Sequence, residues 1–403
     1  MSTPSFAAAT LAVLVCTAVA AQQPPAAAAP APAPDPIATL VGRLDLDRYK
    51  ATILGLTKFG DRRQGTDRNR AAIDWIEAQL KSYGCTNTER LRYEYAGPPP
   101  RDTTRRAPPA PNPGRGSGGS RLRGLRAHTG VNNDSLAQPD ATLRALDTPQ
   151  SVPGPREEVY CTKIGATHPD EMYIVGGHMD GIGWGEAAND DGSGTALVME
   201  LARVFNAPDV KTERSIRFIL WNNEETGTNG ARAYIAQRQA LQGKEEPAGS
   251  GKYPEPKWLG MIQHDMMLFD HGMPRADGTL SPEQRPEADV NIEFQATSKF
   301  ADGAQKLAWF FQSANEKYAK DYPAKVGQHM TNTDSGPFQD IIPAISLREN
   351  ERGEQIGAGW DPHWHQPTDR YSTFSDKDFR LGLNAAQTTL SAVALLTGAS
   401  VKK

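Results

Sequence analysis

MYIVGGHMDGIGWGEAANDDGSGTALVMELARVF, residues 172–205, reads in succession as a strand, a polar loop and a helix. The apolar run 172–175 is short and ends on two glycines, which suits a buried strand. His178 and Asp180 stand where that run stops. Asp190 and Asp191 then precede glycines, as turn and cap residues do, and a helix is expected over 193–205.

The alternation continues on both sides. VYCTKI, SIRFILW, WLGMIQHD and IIPAISL read as further strands, and helices are expected near residue 231, over 304–318 and over 376–396. Upstream, RNRAAIDWIEAQLKSYG (68–84) places Ala72, Ile73, Ile76 and Leu80 at helical spacing and stops on glycine. Strands separated by helices predict an α/β fold, a three-layer sandwich whose mostly parallel central sheet is flanked by helices. In such sheets ligands bind at the carboxyl ends of the strands.

The rest of the chain sets bounds. Residues 6–21 are apolar but too short to span a bilayer, and small residues at 18–21 offer a cleavage site, so 1–21 reads as a signal peptide for secretion or periplasmic export. An Ala/Pro-rich tether is expected over 22–38 and the folded domain over 39–403. Within it, about 97–156 shifts to Pro, Gly, Arg and Ser without periodicity, and a disordered or loosely ordered insertion is expected there. Its arginines, Arg105, Arg106, Arg115, Arg121, Arg123 and Arg126, read as a solvated loop. No later stretch is apolar enough to cross a membrane, and a net charge of −4 gives no reason to expect a nucleic-acid partner. Of three cysteines, Cys16 leaves with the signal; Cys85 and Cys161 form either a disulfide, which export favours, or two buried thiols.

Chemistry gathers at the strand ends: His178 and Asp180 after IVGG, Glu224 and Glu225 after FILWNN, Asp265 after GMIQH. Asp190 lies in AANDDGSG and His365 in GWDPHWHQPTDRY. Each alone has an ordinary structural explanation. Carboxylates collected at one edge repel one another unless a cation neutralises them, and two imidazoles with three carboxylates suit Zn²⁺ better than Mg²⁺ or Ca²⁺.

GGHMD, ANDDGSG with MELARVF, WNNEETGTNGARAY, HDMM, TDSGPF with IIPAIS, and HQPTD, taken in order, resemble the co-catalytic di-zinc exopeptidases, a family that includes secreted bacterial aminopeptidases and glutamate carboxypeptidase II. The resemblance covers most of 56–396 outside the insertion. It implies two zinc ions per chain bridged by Asp190, with His178 and Asp265 completing one site and Glu225 and His365 the other. Glu224 would be the general base, Asp180 would hold the far nitrogen of His178, and a cis peptide would follow Asp190. It further implies hydrolysis of peptides at their amino termini. Carboxypeptidase or dipeptidase action, or glutaminyl cyclisation, is the enzymatic alternative on the same fold, and a metal-free binding module is the non-enzymatic one.

Two positions depart from the family. Trp364 stands where related aminopeptidases carry a tyrosine, and an indole N–H donates but does not titrate. His264 replaces an asparagine, and strand alternation should turn it away from Asp265. His363 competes with His365 as a ligand, but the HxPxD context favours His365. Asp334 either lines the pocket or makes a turn before Ser-Gly, and Trp309, Phe310 and Phe311 read as helix core.

Overall fold

Eight short stretches pair into one sheet in the computed structural model, which describes residue 1 and residues 35–97, 130–269, 290–330, 332–349 and 361–402. They are β1 (Thr88–Tyr95), β2 (Gly154–Lys163), β3 (His168–His178), β5 (Arg214–Trp221), β6 (Lys257–His264), β7 (Val290–Glu293), β8 (Ala324–Gly327) and β9 (Ala344–Arg348). The order is β1-β2-β5-β3-β6-β9-β7-β8. The centre, β5-β3-β6-β9, is parallel, while β1, β2 and the β7/β9 pairing are antiparallel. VYCTKI is therefore an antiparallel strand. A separate ribbon joins β4 (Val210–Lys211) to β10 (Ser400–Val401).

Side chains alternate across a strand, and that alternation splits the core into two layers. Val159, Val175, Phe218, Leu220 and Ile262 face one cluster with α1 (Pro36–Val41), α2 (Leu46–Thr57), α3 (Asp67–Ser82), α5 (Gly192–Phe205), α7 (Ala301–Tyr318) and α8 (Asp376–Leu396). Their neighbours Tyr160, Ile174, Ile219, Trp221 and Met261 face the other, with α6 (Asn229–Arg238) and Phe338. The α/β sandwich follows from this division. Helix α5 lies directly on β3 because Gly177 has no side chain: a Cβ there would sit 2.8 Å from the Gly194 carbonyl carbon.

The domain begins at Asp35, four residues before the expected boundary, since the Asp35 carboxylate accepts from the Ile37 amide at 2.9 Å and caps α1. The rest of the tether, the expected signal peptide beyond residue 1 and the six insertion arginines lie outside the described residues. The other end of the insertion is corrected by the structure. Residues 130–153 include α4 (Ala141–Asp147), and buried Asp147 accepts from the Asp61 amide at 3.0 Å, so this segment is anchored to the domain. Along α7, Phe311 is buried as expected, but Trp309 is 52% exposed.

Cys85, just beyond α3, and Cys161 on β2 form a disulfide that closes a separation of 76 residues. Chain-entropy arguments assign a loop of that order about 4 kcal/mol. Replacing both cysteines by alanine should lower the unfolding free energy by about that amount in urea titrations, with the far-UV circular dichroism of the folded protein unchanged. An unaltered urea midpoint would contradict the assignment.

Candidate metal centre

The central parallel strands stop at one edge, and their last residues and the loops beyond them build the site. His178 ends β3, Asp265 follows β6, and Glu224 and Glu225 follow β5. Asp190 comes from the loop before α5 and His365 from the loop before α8. Their side chains line a cavity of about 190 Å³ together with Asn332, Arg348, Trp364 and Gly227.

Asp190 is the centre of the arrangement. Its Oδ1 lies 3.2 Å from His178 Nε2 and its Oδ2 lies 2.9 Å from His365 Nε2. His365 Nε2 is also 2.8 Å from Glu225 Oε2, and His178 Nε2 is 3.8 Å from Asp265 Oδ1. One carboxylate thus faces two imidazoles, each with a further carboxylate beside it. One ligand atom each from His178, Asp190 and Glu225 lie within 4.8 Å of one another. The Asp190–Asp191 peptide is cis.

The donors suit a cation. A carbonyl only accepts, so His178 Nδ1, 3.0 Å from the Asp180 carbonyl oxygen, carries a proton, and Nε2 is the nitrogen that faces the cavity. Among the described residues, Glu225 Oε1, Asp265 Oδ1 and His365 Nδ1 are buried with no hydrogen-bond partner, which is costly unless something else satisfies them. Burial pushes the Glu224 carboxyl well above its ordinary pKa and Glu225 up to about 7. Burial also opposes a charge on His178 and His365, yet the carboxylates beside each raise both well above the usual imidazole value. Neighbouring carboxylates add to the rise at both glutamates and cause it at both histidines.

Asp180 does not hold His178 through its side chain. Its Oδ1 is 3.9 Å from His178 Nδ1 and instead accepts from the Glu224 amide at 3.1 Å. The physical reason is that the Asp180 carbonyl already takes the Nδ1 proton, leaving the carboxylate to bind the backbone that carries Glu224. His264 faces away from the cavity, its Nδ1 bonded to the Gly176 carbonyl at 3.0 Å and its Nε2 2.8 Å from Thr389 Oγ1. Burial lowers its pKa to about 4, so it is neutral. His363 bonds Thr368 Oγ1 at 2.8 Å, while His365 turns inward with Trp364 stacked on it at 4.1 Å. Asp334 is buried and accepts from Gln263 Nε2 at 3.4 Å.

Asp191 caps α5 as expected, and further supporting residues escaped the sequence reading. Asp191 accepts from the amides of His178 (3.0 Å), Gly194 (2.8 Å) and Met266 (3.1 Å). Asp369 accepts from the amides of Asn189 and Asp190 at 2.8 and 3.1 Å. Arg348 Nη2 lies 2.5 Å from Asp265 Oδ2. Arg62, fully buried, donates to the carbonyls of Met179, Glu186 and Ala187 at 2.7, 2.8 and 2.7 Å and so braces the loop that carries Asp190. Asp191 and Asp369 lay inside the quoted motifs, and Arg348, at the end of an apolar strand, could have been found by the rule that found His178. Trp184, Ala187, Asn223, Met266 and His365 hold left-handed backbone (φ +48° to +69°) around the cavity, the kind of strain that collects at functional sites.

Comparison with known proteins agrees with this fold. The structure of a zinc aminopeptidase from Bacillus subtilis superposes with a TM-score of 0.57 at 16% identity, over 89% of this chain and 96% of that one. Glutaminyl cyclase from Porphyromonas gingivalis gives 0.55 at 16% identity, over 88% and 98–99% respectively in two structures whose second TM-score is 0.53. In sequence, the chain is 23% identical over 219 residues to a probable leucine aminopeptidase 2 of Aspergillus oryzae, covering 54% of this chain and 40% of that one. The chain thus spans less than half the length of that curated relative. Residues 159–388, which hold every cavity residue named above, match peptidase family M28, and the chain belongs to that family.

Proposed function

We propose that this chain is an exported zinc exopeptidase that removes residues from the amino termini of peptides. The observation that carries the reading is Asp190, one carboxylate facing two imidazoles. His178, Asp190 and Asp265 would hold one zinc ion and Asp190, Glu225 and His365 a second. When bound, such a pair supplies Lewis-acid polarisation of the scissile carbonyl and makes water more acidic.

The protein's own groups do the remaining work. Glu224 takes a proton from the attacking water as its oxygen bonds to the carbonyl carbon, then gives that proton to the amine nitrogen as the C–N bond breaks. Asp180 positions it, because its carboxylate fixes the Glu224 amide. Trp364, stacked on His365, restricts the imidazole to one orientation.

The amino-terminal preference is supported by the relatives, which include a zinc aminopeptidase structure and a probable leucine aminopeptidase 2. The Cys85–Cys161 disulfide fits an oxidising compartment and so supports export.

Two experiments test the reading. Peptides with free amino termini should be hydrolysed and their N-acetylated counterparts left intact; the reverse preference would indicate a carboxypeptidase, and conversion of an N-terminal glutamine to pyroglutamate on the intact peptide, with loss of ammonia, would indicate a cyclase. Glu224→Gln should lower kcat by about 10²-fold to 10⁴-fold while the metal content stays at the wild-type level, since it removes the base and leaves the ligands. Wild-type turnover in that variant would remove Glu224 from the mechanism.

A further inference from the structure

Part of the segment read as a disordered or loosely ordered insertion reaches the loop that carries His365. Four contacts join them. The Asn132 amide donates to the His365 carbonyl at 3.0 Å, Gln366 Nε2 donates to the Gly130 carbonyl at 2.8 Å, and Arg370 Nη2 pairs with Asp140 Oδ2 at 3.1 Å. The fourth is Gln138, whose Nε2 donates to the Trp184 carbonyl at 2.7 Å and to the Pro367 carbonyl at 3.0 Å.

Gln138 differs from the others in burial and in what it joins. It is fully buried, and its Oε1 accepts from the Asp140 amide at 3.1 Å, so both ends of the amide are used. Its two acceptors sit on different loops: Trp184 on the one that leads to Asp190, Pro367 on the one that holds His365. Those loops meet backbone to backbone, for a Cβ on Gly183 would lie 2.4 Å from the His365 carbonyl. His365 itself has φ +56°, a conformation that an L-residue keeps only where its surroundings impose it. The segment is in turn fixed at its far end, where Asp147 accepts from the Asp61 amide and Arg144 donates to the Gln138 carbonyl at 2.7 Å.

We propose that Gln138 is a positioning residue for the metal centre: it staples the Trp184 loop to the Pro367 loop and thereby holds His365 against Asp190 and Glu225. This rests on the reading of His365 as a metal ligand. Residues 130–148 are then a working part of the site, and the chain needs this segment to hold its second ion.

The test is a zinc titration of the metal-free full-length chain in competition with a chromophoric chelator. Gln138→Met keeps the length of the side chain and removes both donors; Gln138→Glu keeps the shape and likewise removes them. Removing a partner that orients a ligand typically weakens metal binding about 10-fold to 100-fold, and that loss is expected at one of two sites in both variants. The kcat should fall with it while KM changes by less than about twofold, because the bonds orient a ligand and do not touch substrate. Leu136→Ala, on the exposed side of the same segment, should keep both wild-type affinities. If the methionine variant fails to fold, the glutamate variant carries the same test. Wild-type affinity at both sites in a folded variant overturns the proposal, whereas a wild-type chain that binds no zinc overturns the metal-centre reading instead.

Discussion

The carboxylate of Asp191 holds together the three elements on which the site stands. It accepts from the amide that ends β3, from an amide in the first turn of α5 and from an amide just past β6. Unpaired amides buried at such a junction would each be costly, so a single acid satisfying all three sets the spacing of His178, Asp190 and Asp265. Its pKa is pushed well above the usual carboxylate value by burial, and the neighbouring Asp265 and Asp190 add to this. Gly177 belongs to the same junction, because only a residue without a side chain lets α5 approach β3 closely enough for Asp191 to reach.

Around that junction the chain concentrates negative charge that a neutral interior would not tolerate. Asp190, Glu224, Glu225 and Asp265 share one cavity, with Arg348 as the balancing cation beside Asp265. The rest of the balance is left to the imidazoles or to a bound ion. The backbone is correspondingly over-determined: Arg62, Asp369 and Gln138 each bind main-chain atoms of the loops that carry Asp190 and His365, and none of the three lines the cavity. Rigid support of this kind is what metal geometry requires, since ligands placed by loops alone would be loose.

How much of this could be read from the sequence depended on whether the signal was local. Helix α8 lies at 376–396 and α3 within a residue or two of 68–84, because long amphipathic periodicity survives any tertiary context. β7 and β8, four residues each, carry too few side chains for a pattern, and β1 was missed although its alternation is visible. The inward residues were legible because polar groups interrupt apolar strands at the same edge. Arg62 and Gln138 were not: each acts on carbonyls more than 40 residues away in sequence, and nothing beside either one marks it. The misreading of 130–156 has the same origin in part, since beside the short helix α4 much of what orders this polar segment is hydrogen bonds to distant residues. Asp180 meets the far nitrogen of His178 through its backbone carbonyl, which leaves its carboxylate for the Glu224 amide.

The central claim is that Asp190 joins two cation sites, and the measurement that meets it most directly is the zinc content of the purified chain by elemental analysis, beside that of Asp190→Asn. Two zinc ions per wild-type chain, with both lost or strongly weakened together in the variant, is the predicted result. A single zinc in the wild type, or two retained in Asp190→Asn, would contradict a shared bridging carboxylate.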